Sequence, residues 1–267
     1  MNADPASVME DLAIDATYAT DRICDFLRSE TEKAGKRKLV VGVSGGVDSA
    51  TAAFLAVRAI GKENLISLIM PYRTSLSSSL NDARRVAEML QIPSVLIDIS
   101  AMVDSYFEAF PDAHRLRRGN MMARVRMMLL YDQSAAYDAL VLGASNKTEY
   151  WLGYTTLWGD MACALSPLGD LYKTQVRQLA RALGVPTPII EKPPTADLWE
   201  GQTDEGELGF TYADVDRLLY YMIDKGYDDK RLEESGFSPD FVSRVRRMIR
   251  ATEFKRRMPL TARLRTC

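Results

Sequence analysis

The chain reads as an α/β protein, an open parallel sheet flanked by helices on both faces. Three observations predict this. Short apolar runs at Leu39–Val43, Leu65–Met70, Ser94–Ile99 and Ala139–Gly143 have the length of strands. Helix-compatible segments separate them, and strand–helix alternation builds a parallel sheet. Leu65–Met70 (LISLIM) is apolar without alternation, as in a strand covered on both faces.

The elements follow in order. Val8 to Lys33 has an apolar side of Leu12, Tyr18, Ile23, Phe26 and Leu27, which predicts an amphipathic helix. Strand Leu39–Val43 leads through a glycine-bearing turn into helix Ala50–Ile60. Strand Leu65–Met70 stops at Pro71. Helix Asn81–Gln91 precedes strand Ser94–Ile99. Arg115–Ala136 reads as a long helix that starts after a break at Gly119-Asn120, and it leads to strand Ala139–Gly143. Residues 144–170, rich in Gly, Thr, Trp and Tyr, show no clean period. Irregular stretches of that length inside compact domains are often functional. Helix Lys173–Leu183 carries Val176, Leu179, Ala180 and Leu183 on one face, with Gly184 as cap and Pro186 as stop. Residues 192–209 are irregular and acidic. Helices near Tyr212–Ile223 and Asp240–Lys255 finish the chain. No repeat, low-complexity tract or linker divides it, so residues 1–267 are expected to form one domain.

Composition excludes several classes. The 267 residues are 47% hydrophobic and 26% charged, as in a soluble globular protein. No apolar run approaches the roughly 18 residues of a membrane span. The acidic start (Asp4, Glu10, Asp11, Asp15) lacks the basic and apolar regions of a signal peptide, so a cytoplasmic location and no membrane partner are expected. Cys24, Cys163 and Cys267 form no C-x-x-C pair and imply neither a disulfide framework nor a zinc site. His114 is the single histidine, and nothing near it suggests a catalytic triad. The net charge of −2 gives no reason to expect nucleic acid. Basic residues nevertheless cluster at Arg115, Arg117, Arg118, Arg124 and Arg126, and again from Arg244 to Arg265. Such runs are either solvated helix faces or a surface for phosphates.

The most informative segment is KLVVGVSGGVDS, residues 38–49. Strand, glycine turn and helix aim backbone N–H groups and a helix N-terminus at a phosphate. Gly45 and Gly46 allow close approach, Ser44 and Ser49 add hydroxyls, and Asp48 suits a magnesium ion better than a bare phosphate. No lysine stands between Lys38 and Lys62, which excludes a Walker loop. The dinucleotide fingerprint is missing too. SGGVDS resembles the pyrophosphate loop of the ATP pyrophosphatases, which split ATP into AMP and pyrophosphate and adenylate a substrate oxygen. A second carboxylate, Glu149, follows strand Ala139–Gly143 in the run SNKTE. It can complete a magnesium site with Asp48, or serve as a carboxylate at a helix N-terminus.

Four further runs extend the resemblance. They are LVLGASNKTEYWLGYTTLWGDMACALSPLGDLYKTQV (140–176), GNMMARVRMMLLYD (119–132), EKPPTADLWEGQTDEGELG (191–209) and FKRRMP (254–259). Collinear from about residue 8 to residue 259, they resemble the NAD synthetases. That family implies an adenine-nucleotide α-hydrolase-like fold, a homodimer, and conversion of deamido-NAD to NAD with ATP, magnesium and a nitrogen donor. Adenylation would turn a poor leaving group into AMP, and ammonia would then attack. Both steps need alignment and charge neutralisation more than a strong base.

The resemblance assigns the sites residue by residue. Ser44, Gly45, Gly46, Val47, Asp48 and Ser49 hold ATP phosphates, and Asp48 and Glu149 hold magnesium. Lys173 and Thr195 reach the phosphates, and Met70 lies near the adenine. Read from sequence alone, these three are equally a solvated lysine, a helix cap and a core methionine. Asn120, Arg124, Lys255 and Arg256 match the deamido-NAD site, and Asp160 matches an acidic group near the reacting end. Departures occur at Ala144, Leu157, Ala164 and Phe254, where many ammonia-using members carry threonine, lysine, aspartate and histidine. TTL-x-GDM is closer to the synthetase domain of glutamine-using relatives. The segment before Ser44 is too short for their amidase domain, so free ammonia, or ammonia from a separate protein, is the expected donor. An RNA-modifying ATP pyrophosphatase is the alternative, as is amidation of a related carboxylate.

Overall fold

The computed structural model describes residues 11–199, 201–262 and 264. Its centre is a four-stranded parallel sheet in the order β3-β2-β1-β4, with β1 Lys38–Gly42, β2 Leu65–Ile69, β3 Ser94–Leu96 and β4 Ala139–Leu142. Register is set by Val40 opposite Ile66 on one side and Val141 on the other. Successive residues of β1 face opposite layers. Leu39 and Val41 join one apolar cluster, with Leu55 and Val86. Val40 joins another, with Val103, Phe107, Met122 and Val125.

The first layer contains helices α1 Ala16–Lys33, α2 Val47–Ile60, α3 Ser77–Leu90 and, after β4, α7 Lys173–Leu183. The second contains α4 Ser100–Phe107 and α5 Arg115–Tyr137. A third cluster, around Leu152, Tyr172, Tyr212 and Leu218, binds α6 Lys147–Leu152 to α10 Tyr212–Leu219 and α12 Pro239–Ala251. Short helices α8 Thr187–Glu191, α9 Asp204–Leu208 and α11 Asp229–Glu234 complete the set.

Several boundaries differ from the sequence reading for identifiable reasons. The helix expected over Val8–Lys33 is interrupted, and α1 starts at Ala16, where the Asp15 carboxylate caps it by accepting from Tyr18 N–H at 2.9 Å. Leu12 and Ile14 run alongside instead, pinned to both ends of the Gln178 amide. Residues before Asp11 lie outside the described chain. α5 passes through Gly119-Asn120 without a break; a side chain at Gly119 would meet Leu198 at 2.9 Å, so that glycine admits a close-packed neighbour. β3 ends at Leu96 rather than Ile99. α10 ends at Leu219 and continues as a π-helical turn over Tyr220–Asp224. α12 ends at Ala251, followed by a 3₁₀ turn at Glu253–Arg256. No helix among the described residues is long and apolar enough to cross a membrane.

Candidate active site

β1 has β2 on one side and β4 on the other, so the chain's direction of travel across the sheet reverses at β1 and β4. Ligands of open parallel sheets bind outside the carboxyl ends of the strands at such a point. A cleft of about 530 Å³ opens there, lined by Ser44 and Asp48 after β1, Met70 after β2 and Ser145 and Glu149 after β4.

The loop after β1 is shaped by its two serines. Ser49 Oγ accepts from Ser44 N–H at 3.1 Å and contacts Ser44 Oγ at 3.1 Å, and Ser44 Oγ accepts from Gly46 N–H at 3.3 Å. The turn ends at Gly46, which leaves the first N–H groups of α2 without a side-chain cap. Those groups are the donors a phosphate would use. Ser44, Gly46, Val47, Asp48 and Ser49 line the cleft. Gly45 does not. It has φ +82°, and a Cβ there would lie 2.2 Å from the Ser79 carbonyl oxygen, so it serves the contact with α3.

Across the cleft, Asn146 caps α6. Its Oδ1 accepts from Glu149 N–H at 3.0 Å, while Glu149 Oε2 accepts from Asn146 N–H at 3.3 Å. This is a capping box, and the amide of Asn146 also donates to Asp48 Oδ1 at 2.9 Å. Glu149 thus sits at a helix start, one of its two sequence-derived alternatives, and it shares Lys173 with Asp48. Between the two carboxylates stands Lys173, whose side chain is 4% exposed. Its Nζ donates to Asp48 Oδ2 at 2.5 Å and to Glu149 Oε1 at 3.4 Å. Burial works to lower the Lys173 pKa, but the two carboxylates override it and hold the ammonium charged. Burial pushes the Glu149 carboxyl up to about 8, with Lys173 opposing and Asp48 reinforcing the rise. The Lys173 ammonium also lies 5.1 Å from the centre of the Tyr212 ring.

Further along the cleft, Thr195 and Met70 are both in the wall. Thr195 Oγ1 accepts from Asp197 N–H at 3.0 Å, and Met70 belongs to the core as well. Asn120 Oδ1 accepts from Thr156 Oγ1 at 2.8 Å. Asp160 accepts from Thr156 N–H at 2.6 Å. It keeps surface in the cleft mouth, but protein rings its carboxyl, and this desolvation raises its pKa against the pull of Thr156 N–H and Lys255. Lys255 also lines the cleft and donates to the carbonyls of Gly153 and Thr155 at 2.7 and 2.6 Å.

Arg124 and Arg256 are not among the lining residues. The Arg124 guanidinium donates to the Leu157 carbonyl at 3.3 and 3.2 Å, and Arg256 donates to the carbonyls of Trp151 and Ile249. Both hold main chain around the cleft. Several of the other clustered arginines are engaged too. Arg115 lies over the Trp199 ring, Arg117 over Phe110 and Arg118 over Phe107, and Arg244 donates to the Leu208 carbonyl.

Sequence reasoning missed Asn146, Arg126 and Asp204. The N-x-x-E spacing of Asn146 and Glu149 carried the signal for the first. Arg126 lines the cleft and donates to the Met70 carbonyl at 3.0 Å, and burial pushes its pKa down to about 10. Asp204 accepts from Tyr212 Oη at 3.1 Å and from Tyr154 Oη at 3.3 Å.

This geometry meets its counterpart in known proteins. The sequence profile of the NAD synthase family matches residues 19–259. The chain belongs to that family. NAD synthase relatives are similar over nearly their whole length. The NH(3)-dependent NAD(+) synthetase of Trichlorobacter lovleyi is 52% identical over 256 residues, 96% of this chain and 94% of the relative. The enzyme of the same name from Chlorobaculum tepidum is 52% identical over 239 residues, 90% and 86%. Among solved structures, an NMN synthetase from Francisella tularensis superposes with TM-score 0.85 and 32% identity, covering 94% of this chain and all of that one. An NH3-dependent NAD synthetase from Campylobacter jejuni gives TM-score 0.81 and 32% identity with the same coverage. Like its family, the chain is an ATP-dependent, amide-forming ligase with the Rossmann-like adenine-nucleotide α-hydrolase fold.

Proposed function

We propose that this chain is an ammonia-dependent NAD synthetase that adenylates deamido-NAD with ATP and then amidates the activated carbonyl. The observation that carries this reading is the buried Lys173 held between Asp48 and Glu149 at the reversal point of the sheet. ATP phosphates would lie against Ser44–Ser49 and the open start of α2, with Gly45 holding that loop on α3 rather than meeting them. Lys173, a point charge on a stem fixed by burial, would follow the charge as pyrophosphate leaves. Met70 and Thr195 would lie along the same nucleotide.

Asp48 and Glu149 fit a magnesium ion, which takes one or two carboxylates together with substrate phosphates. When bound, the ion would supply neutralisation of phosphate charge. In the first step an acceptor carboxylate oxygen attacks the α-phosphorus, and pyrophosphate leaves with the bonding pair. In the second, ammonia attacks the acyl carbon and AMP leaves. Asp160 is placed in this scheme to take the proton that the new C–N bond releases. Asn120 and Lys255 would orient the acceptor, with Arg124 and Arg256 holding the loops around it. The reading includes a single catalytic unit, a homodimer and a cytoplasmic location.

Purified protein given ATP, magnesium, ammonium and deamido-NAD is expected to yield NAD, AMP and pyrophosphate in equal amounts. ATP cleavage only with a different acceptor defeats the assignment. A second reading, amidation of nicotinate mononucleotide, draws on the likeness to the Francisella NMN synthetase and on the departures at Leu157 and Phe254. Preference for the mononucleotide in the same assay selects it, and glutamine in place of ammonium tests the nitrogen source.

A further inference from the structure

Two helices bring the ionic centre together. α6 carries Glu149 at its third position, and α7 carries Lys173 at its first. One backbone bond already ties the two starts, Lys147 N–H donating to the Leu171 carbonyl at 2.9 Å. The first N–H groups of α7 need partners, and its N-cap residue, Tyr172, offers no side-chain cap. Those partners come from elsewhere. Lys173 N–H donates to Thr148 Oγ1 at 3.0 Å. Thr174 N–H donates to Asp216 Oδ2 at 2.8 Å. Thr148 Oγ1 in turn donates to Asp216 Oδ1 at 2.5 Å.

Asp216 sits on α10 and has no exposed surface. A buried carboxylate is costly unless it is hydrogen-bonded and favourably placed. Here both oxygens are used, and the N-terminal dipole of α7 favours the negative charge. Tyr212, one turn earlier on α10, places its ring against the Lys173 ammonium. One face of α10 therefore touches Lys173 through its backbone neighbours and through its side chain.

We propose that Asp216, acting through Thr148, is a positioning residue of the adenylation centre, clamping the starts of α6 and α7 so that Glu149 and Lys173 meet Asp48 in one geometry. The inference rests on the reading of Lys173 and Glu149 as ATP-side groups. Asp216 touches neither nucleotide nor acceptor; it sets where the groups that do so stand. A displacement of about 1 Å in such a group can cost a hundredfold in rate.

The test compares Asp216→Asn, Thr148→Val, Thr148→Ser and Lys173→Ala in the ammonium-dependent reaction with the proposed acceptor, each assayed below its own unfolding temperature and normalised to folded protein. Asp216→Asn and Thr148→Val are expected to lower kcat at least about tenfold and to raise the half-saturating magnesium concentration, with the acceptor KM unchanged. Thr148→Ser, which keeps the hydroxyl, recovers most of the loss. The Asp216→Asn/Thr148→Val double variant is no worse than either single variant, as for two parts of one clamp. A purely stabilising role would lower the unfolding temperature and leave kcat and the magnesium requirement of the folded fraction unchanged, which overturns the proposal. Should Asp216→Asn fail to fold, the Thr148 pair decides alone. Full activity in Lys173→Ala would instead overturn the underlying reading of the site.

Discussion

Lys173, Asp48 and Glu149 show how three charged side chains can share one cleft. Each charge would be unfavourable if buried alone; the ammonium answers the carboxylates, Glu149 gives up its charge most readily, and all three keep hydrogen-bond partners. Glu149 is the member whose protonation changes near neutrality. Its folded pKa, about 8, lies above the ordinary 4.5, so between those values the folded chain binds more protons than the unfolded one. Stability from this group is full below the unfolded value and is lost as pH rises through the folded one. The melting temperature of the magnesium- and ATP-free protein should therefore fall from pH 6 to pH 9 by at least about 2–4 °C more than that of Glu149→Gln. Parallel melting curves for the two proteins would refute the assignment. The same variant, like Asp48→Asn, should lose turnover at least about a hundredfold in the coupled NAD assay, through misplaced ATP. Retention of full activity with normal magnesium dependence would remove both carboxylates from the site. Arg124→Ala, which frees the Leu157 carbonyl, should raise the acceptor KM more than the ATP KM. Equal effects on both would count against its place at the acceptor end.

At the scale of elements, the loop after β1 and the start of α6 form the two walls of the site. Gly45→Ala puts a Cβ into the Ser79 carbonyl at a positive φ, a strain of about 1–3 kcal/mol. Calorimetry should show lost ATP binding, and thermal denaturation a lower midpoint; normal ATP affinity would mean that the loop accommodates a side chain. The first wall was legible in the sequence because Leu39 to Ile60 is contiguous: apolar strand, serine–glycine turn and helix stand side by side. The second was half legible. The strand before it points to Glu149, but six residues are too few to show a helical period, so only the N-x-x-E start marks α6 within an otherwise irregular stretch. Asp216 could not be read at all. Its partners Thr148 and Thr174 are 68 and 42 residues away, and on its own helix it stands beside a second aspartate, Asp214, that accepts from Thr211 Oγ1 at the helix start. The arginine clusters misled in the opposite direction. Aromatic faces and free carbonyls, invisible in a charge count, engage most of them.

Across the whole molecule, the exposed large apolar side chains fall unevenly. Met102 and Tyr106 of α4, Phe110, and Leu116, Met128 and Tyr131 of α5 all face outward on the second helical layer. On the proposed reading this layer meets a second copy. Sedimentation equilibrium should then give twice the 29.9 kDa chain mass, and Met128→Glu with Tyr131→Glu should reduce it to one. A single-chain mass for the unaltered protein would end that part of the reading. The fold class was evident at this scale because four apolar runs spaced by helices permit few other arrangements. Strand order was not, since it depends on which edge β4 joins, and its pairing with β1 links residues about 100 positions apart.

The ammonium of Lys173 rests where the proposed metal would share carboxylates, bonded to both of them. An idle copy thus carries its own counter-ion. Stray divalent cations would meet charges that are already answered and find little hold. Only the arrival of a triphosphate, itself polyanionic, would draw the ammonium toward new oxygens and release Asp48 and Glu149. The nucleotide would then open the carboxylates to the metal, and the resting cleft would give the metal alone little hold.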